Sequence, residues 1–159
     1  MKAVVQRCSS AAVTANGQPA GSIQKGLLLL LGVMGDDTEQ DADLLAQKIA
    51  KLRIFCDAQQ KLNLNVNQVQ GAVLCVSNFT LCADLKKGNR PDFGGAMPPQ
   101  RANELYRYFC EQLQKQGVAV QTGVFGADMQ ISLCCDGPIT LTYNTKIWRK
   151  LSGRSLCKF

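Results

Sequence analysis

Apolar positions in this chain alternate, then cluster, then recur at helical spacing, and each change of period marks an element. Residues 2–15 alternate loosely and are rich in Val, Ala, Ser and Thr, which predicts a strand. Asn16-Gly17 ends it with a pair suited to a tight hairpin, and residues 18–23 return as a short strand. The uninterrupted run at 26–33, GLLLLLGV, predicts a strand buried on both faces. Thr38 with Asp41 has the spacing of a capping box, and acids crowd the first turn where the helix dipole favours them. A helix follows to about Leu52, with Leu45, Ile49 and Leu52 on one stripe. Residues 53–56 read as a strand, 57–67 as polar loop and 69–81 as another strand. A long loop over 82–98 carries Gly, Pro and basic residues, and loops of that length in a compact domain are often functional. Pro98-Pro99 opens a second helix over 100–116, with Ala102, Leu105, Phe109 and Leu113 as its stripe and Gly117 as its stop. Strands are predicted at 118–122, 129–135 and 139–143.

Strands outnumber helical crossovers, so most pairings are expected to be antiparallel. The expected class is α+β: a mostly antiparallel, curved or barrel-like sheet with two main helices packed on it. The 159 residues suit one domain with a substantial core, drawn here as 1–145. Residues 146–159 read as a basic C-terminal extension, floppy or disordered.

Composition narrows the function classes. A hydrophobic fraction of 46% describes an ordinary globular chain. Its longest apolar run is far short of the roughly 20 helical residues that cross a bilayer. Arg7 sits where a signal peptide would need apolar residues, so no membrane is expected and the location is read as cytoplasmic. Net charge is +6, unevenly spread. Lys146, Arg149, Lys150, Arg154 and Lys158 share an acid-free tail, and Lys86, Lys87 and Arg90 cluster in the long loop. Such clusters suit a polyanion through counterion release; equally, they suit a solvated surface.

The chain has eight cysteines and no histidine. No C-x-x-C spacing supports a zinc ribbon or a thioredoxin-type pair, and most of the thiols read as small core residues. Cys134 and Cys135 would point to opposite faces of a strand. Cys157, in the tail, is the thiol expected to be exposed and oxidisable. Without imidazole there is no Ser-His-Asp or Cys-His unit and no His-ligated metal.

Two stretches are candidates for chemistry. In VSNFTLCAD, 76–84, alternation sets Ser77 and Phe79 on one face and Asn78 and Thr80 on the other. Hydrogen-bonding side chains and unpaired backbone N–H groups at a strand end suit an oxyanion site; the plainer use is bonding to neighbouring strands or solvent. In CDGPIT, 135–140, Gly-Pro between two apolar stretches is a turn or bulge signal, and a tight turn is the plain expectation.

SNFTLCAD closely resembles the S-Q-F-T-L-x-A-D signature of the D-aminoacyl-tRNA deacylase (DTD) family, and CDGPIT resembles that family's N-x-G-P-x-T. MKAVVQR, QKGLLLLLGV, KIAKLRIF, KKGNRPDF, the AMPP turn and TGVFGADM are similar as well, so the likeness runs from Met1 to about Tyr143. The resemblance implies a DTD-like fold and a homodimer with its active site at the interface. It implies hydrolysis of the ester joining a D-amino acid to the 3′ end of tRNA, removal of glycine from mischarged alanine tRNA, and no metal or organic cofactor. Gly137 and Pro138 would form a cis bond that enters the partner's pocket and excludes L side chains. Backbone N–H groups around Phe79 and Thr80 would polarise the ester carbonyl, with Ser77, Asn78 and Met129 shaping the substrate pocket. The terminal ribose 2′-hydroxyl would assist, which makes the expected partner tRNA and not DNA. Asn78 replaces the usual glutamine and Cys135 the usual asparagine. The rival reading, from the basic clusters alone, is a non-catalytic RNA-binding or tRNA-binding module.

Overall fold

The computed structural model describes residues 1–86 and 88–152, the last four by backbone alone. Its organising strand is β1, Lys2–Ala15, whose side chains alternate between buried and partly exposed over most of its length. The Asn16-Gly17 turn, with both residues at positive φ, folds the chain back as β2, Gln18–Ile23. β3, Gly26–Gly32, pairs antiparallel with residues 2–8 of β1, while β2 pairs with residues 11–15. The other edge of β1 is taken along its length by β8, Met129–Asn144. Beyond β3 lie β6, Ala72–Ser77, and β7, Ala119–Thr122, both parallel to their neighbours. Parallel neighbours require crossovers, and these are the two expected helices. They are α1, Glu39–Ala50, between β3 and β6, and α2, Pro99–Lys115, between β6 and β7. β2 curls back toward β7 so closely that a Cβ at Gly21 would lie 2.6 Å from the Thr122 carbonyl oxygen, and the sheet nearly closes. The expected α+β architecture with a mostly antiparallel, curved sheet is the one observed.

Both helices cover one face of this sheet. Leu27, Leu29 and Leu31 of β3 meet Leu45 and Ile49 of α1 and Leu105, Phe109 and Leu113 of α2 in the main core. Each such side chain taken fully out of water contributes about 1.5–3 kcal/mol. A second cluster on the other face joins Cys8, Ala11, Val13, Ile23, Leu28, Leu74 and Val76. β3 is therefore buried on both sides, which explains its unbroken apolar run.

Several sequence expectations are corrected. α1 stops at Ala50, because Lys51 leaves the helix with its N–H still bonded to the carbonyls of Gln47 and Ile49. The strand read at 53–56 shrinks to β4, Phe55–Cys56, which pairs with β5, Leu62–Leu64, inside the stretch read as loop. The strand read at 69–81 ends at Ser77, and Phe79–Cys82 turns as a 3₁₀ helix. The strands read at 129–135 and 139–143 are one strand, so Gly137-Pro138 makes a bulge instead of reversing the chain. The extension begins as a third helix, α3, Thr145–Ser152. Its start is anchored: the Met1 amine donates to Thr145 Oγ1 and, at 2.5 Å, to Asp37, while Lys146 pairs with Asp36 at 2.7 Å. Lys87, Arg154, Cys157 and Lys158 lie outside the described residues. Among the described residues no helix is long and apolar enough to cross a membrane.

Candidate active site at the end of strand β6

β6 delivers Ser77 to the edge of the core and then loses its partner. Asn78 N–H still donates to the Leu31 carbonyl at 2.8 Å, but its side chain takes over the next residues. Asn78 Oδ1 accepts from the Thr80 N–H at 3.1 Å and from the Thr80 hydroxyl at 2.5 Å, capping the 3₁₀ turn. Asparagine commonly diverts backbone from the ladder in this way. The alternation of faces read at 77–80 therefore breaks at Asn78. Both Thr80 donors are engaged within the turn, whereas the Phe79 N–H has no partner among the described residues.

The turn forms one side of a cavity of about 760 Å³, which is lined by Ser77, Asn78, Phe79 and Met129 among others. Phe79 is exposed and stands edge-on to Phe93, with ring centroids 5.0 Å apart. Phe93, Met97, Pro98 and Pro99 come from the long loop and the start of α2, and Phe125 and Met129 from beyond β7. Gly123 makes room for Met129: a Cβ there would sit 2.7 Å from the Met129 sulfur. Among the described residues no ionisable side chain appears in this lining. The cavity can bind apolar groups and present a backbone N–H to a carbonyl, and its described residues offer no side-chain acid or base. The loop that supplies Phe93 is cross-tied by backbone bonds between Asp84 and Asp92 and carries Lys86 and Arg90 on its exposed tip. Charged residues of both signs on this loop thus adjoin an uncharged pocket, with Lys86 3.9 Å from Asp84.

The sequence candidates fall into two places. Ser77, Asn78, Phe79 and Met129 are together at the cavity, with Thr80 on the turn behind it. Gly137 and Pro138 are exposed and are absent from the lining. Their peptide bond is cis. β1 pairs Gln6 with Thr140 and Cys8 with Cys135, so residues 136–139 stand opposite Arg7 alone. Gly137 has φ +130°, and a Cβ on it would lie 2.8 Å from the Ile139 nitrogen. Arg7 braces the bulge from below. Its Nε reaches the Asp136 carbonyl at 3.2 Å and carboxylate at 3.0 Å, while Nη1 donates to the buried Ile54 carbonyl at 2.7 Å. Sequence reasoning missed Arg7 as a site residue. Its only local trace is a charge at a position of β1 that is buried. Phe93 was likewise missed, although it closes the KKGNRPDF stretch.

A family described as D-Tyr-tRNA(Tyr) deacylase matches residues 4–144. A protein of Anaeromyxobacter dehalogenans (strain 2CP-C) named D-aminoacyl-tRNA deacylase is 54% identical over 92% of this chain and 98% of its own. A protein of the same name from Koribacter versatilis (strain Ellin345) is 52% identical over the same shares. A solved structure named c-Myc DNA Unwinding Element Binding Protein is 40% identical, with TM-score 0.84 over 91% of this chain and 98% of that one. Another, described as a probable eukaryotic D-amino acid tRNA deacylase, shares 14% identity and the fold, with TM-score 0.79 over 89% of this chain and 97% of that one.

Proposed function

The chain belongs to the D-Tyr-tRNA(Tyr) deacylase family, and from that membership we propose how its residues serve the deacylation of D-aminoacyl-tRNA. The protein is a hydrolase: water adds to the ester carbonyl, the bond to the terminal ribose oxygen breaks, and that oxygen leaves with a proton as the hydroxyl of free tRNA. The observation that carries the reading is the uncharged pocket with an unpaired backbone donor at Phe79, on the turn that ends β6. That N–H polarises the ester carbonyl as negative charge develops on its oxygen. Thr80, held by Asn78, fixes the turn that aims it. Ser77 and Met129 bound the space left for the aminoacyl group. Since the lining has no acid or base, proton transfer falls to water and to the substrate's own 2′-hydroxyl, a group that RNA carries and DNA lacks.

Stereochemical selection is assigned to Gly137 and Pro138. They lie away from the cavity of their own chain and are exposed on β8, an arrangement that suits insertion into the pocket of a second copy. In such a homodimer the corner's backbone would occupy the space an L side chain needs and leave a D side chain free. Glycine, with no side chain, passes the same gate, which extends the substrates to glycine on alanine tRNA. Residues 1–145 are the catalytic unit, 146–159 a basic extension, and the place of work the cytoplasm, where charged tRNA is used.

The test is the parallel incubation of one tRNA charged with D- and with L-tyrosine. The D ester should disappear at least about 100-fold faster than in buffer, roughly 2.7 kcal/mol of barrier, while the L ester decays as in buffer. Equal survival of the D ester with and without protein overturns the reading.

A further inference from the structure

Two cysteines stand opposite each other across β1 and β8 at the foot of the Gly137-Pro138 bulge, where the strand register pairs Cys8 with Cys135. The pair is flanked on both sides by breaks in register, and opposed residues of a regular antiparallel pair hold their Cα atoms about 4.5–5.5 Å apart. That lies within the roughly 4.4–6.8 Å over which a disulfide closes without backbone movement. The side chains leave the sheet on one face. Leu133, two residues before Cys135, packs on the cluster that contains Cys8, and strand side chains return to the same face at every second position. Cys134 faces the other way, opposite Ser10. Cys8 is buried and Cys135 exposed. Burial pushes the Cys8 thiol up, and the nearby Cys135 thiol pushes in the same direction. An accessible sulfur backed by a sheltered one is the arrangement in which the first is oxidised and the second resolves it.

We propose that Cys8 and Cys135 are a peroxide-reactive dithiol, a covalent modification site that joins β1 to β8 beside the bulge. The Cys135 thiol gives up its proton, its thiolate attacks one oxygen of hydrogen peroxide, the O–O bond breaks, and the departing hydroxide takes that proton, leaving sulfenic acid and water. Cys8 then attacks that sulfur, the S–O bond breaks, and the departing hydroxide takes the Cys8 proton as a second water. The peroxide is reduced by two electrons, and the two thiols become one disulfide. Cys8 follows Arg7 in sequence and Cys135 precedes Asp136, so the new bond spans the clasp in which Arg7 Nε holds Asp136 at 3.0 and 3.2 Å. A disulfide fixes the Cβ atoms about 3.8 Å apart, which pins β1 to β8 under the corner and removes their freedom to move relative to each other. The effect on activity rests on the deacylase reading above; the bond itself does not.

The experiment treats the full chain, in its assembled state, with hydrogen peroxide, alkylates the remaining thiols and maps peptides without reduction. The expected product joins the Cys8 and Cys135 peptides, lighter by two hydrogens, while the exposed Cys56 and Cys134 are alkylated. D-ester hydrolysis should fall about tenfold and return with dithiothreitol. Cys135→Ser, at an exposed position, should keep the rate of the reduced protein and lose the response; Cys8→Ala should do the same. Alkylation of both thiols after peroxide, or a bond mapped to another pair, overturns the proposal. A Cys8–Cys135 bond with an undiminished rate overturns its regulatory half. Absence of D-ester hydrolysis in the reduced protein would count against the deacylase reading alone, since the peptide map decides the dithiol by itself.

Discussion

The Asn78 carboxamide accepts from both donors of Thr80, so replacing it with alanine removes the cap of the turn and frees a hydroxyl and an N–H beside the pocket. Asn78→Ala should cost about 1 kcal/mol of stability, the usual worth of such a cap. It should also lower kcat/KM for the D ester about tenfold, because it disturbs the direction of the Phe79 N–H and removes a side chain that lines the pocket. Thermal melting and single-turnover hydrolysis measure the two parts separately. Arg7→Lys keeps the charge but loses the fork that spans Ile54 and Asp136. It should lower the D-to-L ratio of kcat/KM by about tenfold, read from the two esters in parallel, while the uncapped Ile54 carbonyl costs about 1–3 kcal/mol in denaturant titration. Ser77, Asn78 and Phe79 were legible in the sequence as polar and apolar positions near a strand end. Their faces were not, because periodicity contains no term for a side chain that bonds two residues ahead. Arg7 stayed hidden for the opposite reason: its partner Asp136 is 129 positions away, and a charge in an alternating strand reads as solvated.

Among the elements, α2 holds the titration that matters for stability. The Tyr106 hydroxyl donates to the Cys75 carbonyl of β6 at 2.8 Å. Burial, reinforced by the neighbouring Cys75 and Cys110 thiols, drives its pKa far above that of a free tyrosine. Burial raises Cys75 as well. The folded protein therefore retains protons that the unfolded chain releases. The stability tied to these neutral groups is fully present below their unfolded pKa values and is lost as pH rises through about 9–10 and beyond. Urea midpoints should hold between pH 7 and 8.5 and fall steadily above about pH 9.5, and Tyr106→Phe should flatten part of that fall. Helices α1 and α2 could be read in advance because caps and stripes are local: Thr38 and Asp41 at one start, Pro98-Pro99 at the other, Gly117 after the second. β4 and β5 could not, having too few residues to show a period. The bulge in β8 looked like a turn because Gly-Pro has the same local chemistry in both, and only the pairing with β1 distinguishes them.

For the whole molecule, the formal charge of +6 and the basic loop beside the pocket make tRNA affinity an electrostatic quantity. Raising salt from 50 to 200 mM should weaken tRNA binding by about tenfold or more in filter or polarisation assays, and Lys86→Ala should shallow the slope. The sheet's class followed from counting strands against crossovers. The central position of β1 did not, because its pairings join Lys2 to Asn144 and no short window contains both. That span also bears on synthesis. A ribosome releases β1 long before β8 exists, and until then the strand offers a bare, partly apolar edge to whatever lies nearby. Closing contacts so distant in sequence is slow, on the order of milliseconds to seconds. Translation arrested before residue 129 should thus yield a product that needs a chaperone, since the strand that closes β1 has yet to be made.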